Sequence, residues 1–324
     1  MPSCPVVYGP VTYTRDDGRT LARIGVKLPY NVYTHSVLAL DVPNVLLALF
    51  DPYVVVSVDA GCSWEALATV PGDLLTLIAA PGARAYGYGN EGSFLRIEAW
   101  KVTYLSAPVV ITGLGVDRLN PSHIRICGSD ATVWDSQDAG STWERRGAVP
   151  VNNPSVYTAA LNKINLDHIV VGLTSVGSYV SFDGGLNWTA STGLAPDAWA
   201  NVMTVQISPA DGHVVWAMGI ELGSGDKHIY HSVDGGLSFV PVIDEGQANI
   251  VNGQVLAAHP TNPNLLYFVF GSSFGGYGTD VYKYHFARNR LTRTHNDFDR
   301  FVSIEFSPAD PSCIYFGVVD ENIE

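Results

Sequence analysis

Three acidic residues have the type and the spacing that acid and base chemistry needs. Asp73 precedes one apolar segment, and Asp297 and Asp299 precede another. A glycoside hydrolase uses two opposed carboxyl groups, one to donate a proton and one to act as base or nucleophile. If both segments are strands that begin at the same end of the fold, these carboxyl groups could face each other obliquely. The sequence therefore allows a glycoside hydrolase or a polysaccharide lyase with Asp73, Asp297 and Asp299 as candidate catalytic residues.

Aromatic and polar residues at the starts of similar segments are candidates for ligand binding. Their rings can stack on a sugar or clamp a peptide, while amide and guanidinium groups set the polarity of a pocket. For any single residue the simpler interpretation is an ordinary polar loop position, because loops are polar. The candidate ligand-binding residues are Tyr33, His35, Tyr157, Trp199, Asn201, Asn252 and Arg300.

A recurring octet indicates which elements position these residues. Its clearest copy, Ser181–Trp188, reads Ser or Thr, any residue, Asp, any residue, Gly, any residue, a small polar residue and an aromatic. The Asp side chain can accept backbone hydrogen bonds and pin a turn, and the Gly supplies a positive φ. Each copy therefore predicts a hairpin tip between antiparallel strands. The aspartates of the five copies are Asp16, Asp59, Asp138, Asp183 and Asp234.

The octet resembles the Asp-box, or BNR repeat, of sialidases, xyloglucanases, photosystem assembly factors and secreted actinobacterial propellers. The resemblance implies a β-propeller in which the box is structural and lies away from any catalytic centre. It does not extend to sialidase activity, which in that family uses three arginines from separate blades and an Arg-Ile-Pro motif. Here Arg23-Ile24-Gly25 lacks the proline, and Arg300 is the one arginine at the start of an inner strand.

The spacing of the octets predicts the number of blades. Repeats of about 40 to 50 residues with four strands each are typical of propellers. The octet aspartates recur at that spacing, with a gap of nearly two repeats between Asp59 and Asp138. We therefore predict an all-β fold, a single seven-bladed β-propeller over residues 1–324. Its seventh blade is expected from about 301–324 completed by N-terminal strands within 5–28, which would close the sheet edges.

Charge and hydropathy limit the partners. The net charge of −13 argues against nucleic acid and anionic membrane surfaces. No apolar run approaches the length of about 20 residues that a membrane span needs. The first residues lack the features of a signal peptide, as would a chain from which the signal had been removed. A secreted monomer is expected, with a cytoplasmic location as the alternative.

The cysteines and histidines do not predict a metal or redox site. Cys4 and Cys62 are the only pair considered for a disulfide, and Cys127 and Cys313 are expected to be buried thiols. No CxxC, HxH or HExxH spacing is present. Neither a metal nor a cofactor is expected.

Two hypotheses of different classes remain open. The first is a non-enzymatic propeller that binds a protein or glycan partner through the mouth of its channel. The second is a carbohydrate-active enzyme, not a sialidase, that uses the carboxylates at that mouth.

Overall fold

The fold consists almost entirely of short antiparallel strands. A computed structural model describes residues 2–28, 32–194, 200–272, 278–297 and 300–320. Within these ranges the chain forms 29 β-strands and one 3₁₀ helix, Phe286–Arg288. The described residues include no helix with the length and apolar character that crossing a bilayer requires. The prediction of an all-β chain is therefore confirmed.

The strands follow one another through the sequence with short turns between them. The first eleven are β1 (Val6–Val7), β2 (Val11–Thr14), β3 (Arg23–Ile24), β4 (Val32–Ala39), β5 (Leu46–Phe50), β6 (Tyr53–Ser57), β7 (Glu65–Thr69), β8 (Leu74–Ala80), β9 (Arg84–Gly89), β10 (Phe94–Glu98) and β11 (Lys101–Tyr104). The next thirteen are β12 (Ile111–Val116), β13 (Ile124–Gly128), β14 (Thr132–Ser136), β15 (Glu144–Ala148), β16 (Val156–Leu161), β17 (Ile169–Leu173), β18 (Gly177–Ser181), β19 (Thr189–Ala190), β20 (Ala200–Ile207), β21 (Val215–Glu221), β22 (Lys227–Ser232), β23 (Val240–Asp244) and β24 (Leu256–Ala258). The last five are β25 (Leu265–Ser272), β26 (Gly278–His285), β27 (Arg290–Asn296), β28 (Arg300–Phe306) and β29 (Ile314–Asp320).

Five four-stranded sheets form the blades of a β-propeller. They are β8–β11, β12–β15, β16–β19, β20–β23 and β24–β27, each with its strands in chain order. The first strand of each of these sheets is rich in apolar residues, many of them small, and the turns carry Gly, Pro, Asn and Asp. This pattern suits strands that are packed on both faces and joined by tight turns.

The predicted number of seven blades is wrong, because the residues that the structure describes form five. The strands assigned to the first and the seventh blade form one seven-stranded sheet in the order β2-β29-β4-β5-β6-β7, with β28 also on β29. A short ladder between β29 and β4, which includes Val319 opposite Tyr33, joins the two sets. Repeat counting assigned one separate sheet to each repeat, and it could not detect a ladder of two residue pairs.

The strands group into two compact units. The first unit contains Met1–Leu105, Tyr267–Tyr284 and Leu291–Glu324, and the second contains Ser106–Leu266 and His285–Arg290. Leu47 and Leu95 are fully buried in a core cluster of the first unit. Val171 and Leu173 have the same role in a cluster of the second. Burying such a side chain contributes about 1.5–3 kcal/mol.

The N-terminal segment is fastened to the first unit in two ways. β2 pairs with β29 from Val11 opposite Gly317 to Thr14 opposite Ile314. Cys4 forms a disulfide with Cys62 across a sequence separation of 58 residues. In the chain-entropy treatment a loop of that length stabilises the folded state by about 4 kcal/mol. Cys127 and Cys313 are buried free thiols.

The octets share one hydrogen-bond arrangement. In Ser181–Trp188 the serine hydroxyl donates to Asp183 Oδ1 over 2.9 Å and accepts the N–H of Gly185 at 2.8 Å. Asp183 Oδ1 also accepts the N–H groups of Leu186 and Asn187, and Oδ2 accepts the Asn187 amide. Hydrogen bonds, first those from Asn187, lower the pKa of Asp183 to about 2.

The other four octets repeat the bond from the first hydroxyl to the aspartate and the bond back from the glycine. Four of the five octets lie at the tip of an antiparallel hairpin, as predicted. The first octet differs: it follows β2, but the next strand, β3, pairs in parallel with β1.

A buried histidine in the second unit has an unusual environment. His231 on β22 is 2% exposed and lies between Trp216 and Phe286, with ring centroids 4.3 and 3.7 Å away. Neither of its ring nitrogens has a hydrogen-bond partner among the described residues. Burial lowers the pKa of His231 to about 4, because a charged imidazole there would lose its hydration.

We predict that the octet carboxylate stabilises the fold. Asp183→Ala removes the acceptor for three N–H donors at an exposed turn, so we expect the free energy of unfolding to fall by about 1–2 kcal/mol. Urea denaturation measures this, with Asp183→Asn as a control that keeps one acceptor oxygen. An unchanged midpoint for Asp183→Ala would contradict the role assigned to the carboxylate.

We predict a second, pH-dependent contribution from His231. The unfolded side chain binds a proton below pH 6.5, whereas the folded one does so only near pH 4. The unfolded state therefore binds more protons in this window, and stability falls with decreasing pH, by up to about 3 kcal/mol. His231→Phe should flatten the profile between pH 6.5 and 4. Parallel stability profiles for His231→Phe and the unsubstituted protein would exclude this effect.

Candidate functional site

Asp73, the first candidate carboxylate, pins a turn in the first unit. It accepts hydrogen bonds from the N–H groups of Glu91 and Ser93, at 3.1 and 3.2 Å, and from the Ser93 hydroxyl. Burial by itself would raise the pKa of Asp73, but the bonds from Ser93 and Glu91 outweigh it and lower the pKa. Such a carboxylate is ionised at neutral pH, which suits a hydrogen-bond acceptor and not a proton donor.

Asp297, the second candidate, lies just after β27 and belongs to a series of ionisable side chains that contact one another. Its Oδ1 is 3.1 Å from Nε2 of His295, and Nδ1 of the same ring is 2.8 Å from Oδ1 of Asp280. The side chain of Asp297 is 82% exposed, whereas that of Asp280 is fully buried. Tyr282 donates its hydroxyl to Asp280 over 3.2 Å, and Arg293 approaches the same carboxylate to 3.6 Å.

The two carboxylates hold the ring of His295 in a fixed orientation. A buried carboxylate on one ring nitrogen fixes the direction of the other, as it does for a general base. Here the outer nitrogen is directed at Asp297, so the ring of His295 bridges two carboxylates. The arrangement ties the end of β27 to the start of β26. It gives no support to Asp297 as a proton donor, and its catalytic role stays a prediction.

Two predicted site residues, Asp299 and Trp199, lie outside the described residues. The carboxyl groups of Asp73 and Asp297 bond to different partners, and no contact between them is present in the described part of the chain. A glycosidase assignment would rest on two opposed carboxylates. That geometry is not established for these residues.

Three predicted binding residues come together in the first unit. Strand register places Arg300, Val319 and Tyr33 opposite one another on β28, β29 and β4. The Tyr33 ring stacks on His35 with centroids 5.5 Å apart and an angle of 12° between the planes. Burial lowers the pKa of His35, although Asp51 acts in the opposite direction. The stacked rings can contact apolar groups, and the guanidinium of Arg300 can bind a carboxylate.

The other candidates lie in the second unit and have simpler surroundings. Tyr157 on β16 and Asn252 after β23 are exposed. Asn201 accepts the N–H of Ser175 at 2.7 Å, so its side chain fixes a neighbouring turn. Among the described residues no group of three or more His, Cys, Asp or Glu side chains has the arrangement to hold a metal ion.

Sequence reasoning did not include Asp280 and His295. The signal was present, because an aspartate inside the apolar run of β26 must be paired when it is buried. His295 and Asp297 alternate along one strand face at a spacing of two. The register in which β27 pairs with β26 could not be read from the sequence.

The comparisons with known proteins give one close relative and several structures of similar fold. The chain is 40% identical over 337 aligned positions to the dispase autolysis-inducing protein of Streptomyces mobaraensis, covering 99% of this chain and 90% of that protein. The GH74 enzyme of Niastella koreensis has a TM-score of 0.67 at 16% identity, over 90% of this chain and 52% of that one. YCF48 bound to D1 peptide has a TM-score of 0.60 at 12% identity, over 98% of this chain and all of that one. No protein-family profile matches the sequence.

We predict that His295 stabilises the charge of Asp280. His295→Ala removes a ring nitrogen that lies 2.8 Å from a buried carboxylate, and we expect a loss of about 2–3 kcal/mol in the free energy of unfolding. Asp297→Asn is the matched control and should change stability by less than about 0.5 kcal/mol, because its side chain is exposed. Denaturant titration tests both, and equal midpoints for the two variants would refute the role of the buried pair.

Proposed function

The chain belongs to the family of the dispase autolysis-inducing protein, and we propose from this that it is a binding protein whose partner is a protease. The observation that carries the proposal is the 40% identity over 99% of the chain. The name of that relative states that it induces the autolysis of dispase, and we extend this effect to the present chain. The chain would contribute contacts, and the protease would carry out the cleavage.

A binding protein can promote autolysis without cleaving anything. If it binds a more open form of the protease better than the closed form, it increases the population of the open form. The shift is limited by the difference between the two affinities. Other protease molecules then cut the opened segments, because proteolysis follows the population of open states when opening is fast.

The covalent structure supports a secreted protein. A disulfide joins Cys4 and Cys62, and disulfides persist in oxidising compartments outside the cytoplasm. A protein located there can meet a secreted protease. We propose that it acts as a monomer, because every strand that the structure describes pairs with another strand of the same chain.

The site geometry gives no comparable support to a carbohydrate-active enzyme. Asp73 is an ionised turn acceptor, and Asp297 is occupied by His295. YCF48, whose fold is similar, has been solved with a peptide bound to it. A protein ligand is therefore compatible with the fold, whereas the opposed carboxylates of a glycosidase are not established.

We predict that the purified chain accelerates the self-cleavage of dispase. Dispase incubated with the chain should lose its activity and its gel band of intact protein faster than dispase alone. The effect should saturate as the concentration of the chain increases. The control uses dispase with its active site blocked, which should stay intact in the presence of the chain. Fragments of blocked dispase would show that the chain is itself a protease, and no acceleration of active dispase would reject the proposal.

A further inference from the structure

Two neighbouring loops of the second unit present large aliphatic side chains to solvent. Leu119, in the loop between β12 and β13, is 97% exposed, and Ile164, between β16 and β17, is 69% exposed. Single exposed aliphatic residues are common on protein surfaces and need no explanation. The construction of these loops and the charges beside the two residues carry the inference.

Both loops hold the aliphatic residue by the same backbone arrangement. Oδ1 of Asp117 accepts the N–H of Leu119 at 2.8 Å, and Oδ1 of Asn162 accepts the N–H of Ile164 at 2.8 Å. Each oxygen also accepts the next N–H along the chain. The loop tips are therefore ordered before any partner arrives, which lowers the entropy lost on binding.

A buried arginine fixes one loop against the other. Arg125 stands two residues after the first loop, and its Nη1 donates to the carbonyl of Leu166 at 2.7 Å and to Asp167 Oδ1 at 2.9 Å. Its Nε donates to Asp135 at 2.6 Å. Since Leu166 and Asp167 belong to the second loop, Arg125 ties that loop to the strand that follows the first loop.

The loop fold does not need a large aliphatic residue at this position. Two further loops of the second unit, between β20 and β21 and between β24 and β25, have the first of the two N–H bonds found at Leu119 and Ile164. Their corresponding residues are Ala210 and Thr261, whose N–H groups bond to the side chains of Ser208 and His259. Leu119 and Ile164 therefore serve something other than the turn.

A cation precedes each of the two aliphatic residues. Arg118 and Lys163 are exposed, and neither has an ion-pair partner within 4 Å among the described residues. They stand out on a chain whose net charge is −13. Two cations, each beside an aliphatic tip, match a surface with apolar depressions edged by carboxylates.

We propose that Arg118, Leu119, Lys163 and Ile164, here called the two-loop patch, form the surface that docks the protease. The docking site on the protease is apolar and acidic. This inference rests on the proposed function and adds to it the location and the chemistry of the contact. The aliphatic tips contribute buried area, and the cations accelerate association and make it sensitive to salt.

The test measures binding to dispase with its active site blocked, so that affinity is separated from cleavage. Leu119→Ser with Ile164→Ser should weaken binding by at least about tenfold. Arg118→Glu with Lys163→Glu should weaken it to a similar extent at low salt and remove the salt dependence of association. Both double variants should have the same melting temperature as the unsubstituted protein, because all four side chains are exposed.

The matched control removes two aliphatic residues from the opposite ends of sheets in the same unit. Val176 lies in the turn between β17 and β18 and Leu222 in the turn between β21 and β22, and both are 43% exposed. Val176→Ser with Leu222→Ser should leave the affinity unchanged. A loss equal to that of the patch variants would overturn the inference, since the effect would not be specific to the patch.

The remaining outcomes separate this inference from the proposed function. If the unsubstituted protein and the patch variants bind dispase with the same affinity and accelerate its autolysis equally, the inference is rejected and the proposed function stands. If the unsubstituted protein neither binds dispase nor affects its autolysis, both fail. Sedimentation should show a monomer for every variant. A dimer of the unsubstituted protein that the patch variants dissociate would identify a second copy as the occupant and overturn the inference.

Discussion

The structure depends on one interaction, an aspartate carboxylate that accepts hydrogen bonds from its own turn. In each octet the residue after the aspartate and the following glycine both have positive φ, for example Ala139 at 60° and Gly140 at 91°. An alanine in that region is disfavoured by about 1–2 kcal/mol. The bonds from Thr142 and Ser136 to Asp138 offset this cost. The turn is then fixed, and with it the register of the strands on either side.

The same device is used far beyond the octets. Asp41 accepts the N–H groups of Gly82 and Ala83, and Asp73 and Asp117 hold turns of their own. Hydrogen bonding of this kind lowers the pKa of Asp117, first through the N–H of Leu119. Many acidic groups of the chain are therefore engaged in structure and stay ionised. Part of the negative charge follows from the fold, so an acidic residue at the start of a strand does not by itself indicate catalysis.

The sequence predicted what is local and missed what depends on pairing between distant strands. The octets and their glycine conformations follow from residue types and short spacings. The blade count failed because the ladder between β29 and β4 has only two residue pairs and leaves no trace in the repeat pattern. The contact of Asp280 with His295 was missed for the same reason, since it depends on the register of two strands. Asp299 and Trp199 lie outside the described residues, so their predicted roles stay predictions.

A fold built from pinned turns separates the residues that form the structure from those that are free to serve a function. In four loops of the second unit that join the first two strands of a sheet, the first position supplies an acceptor for the N–H of the third, as Asp117 and Asn162 do. The side chain at the third position is exposed in three of these loops, and this bond does not constrain its type. It is leucine or isoleucine in two loops and alanine or threonine in others. Sequence motifs record the constrained positions, because these recur. The unconstrained positions are free to vary for recognition, and they become visible only when equivalent loops are aligned by their hydrogen bonds.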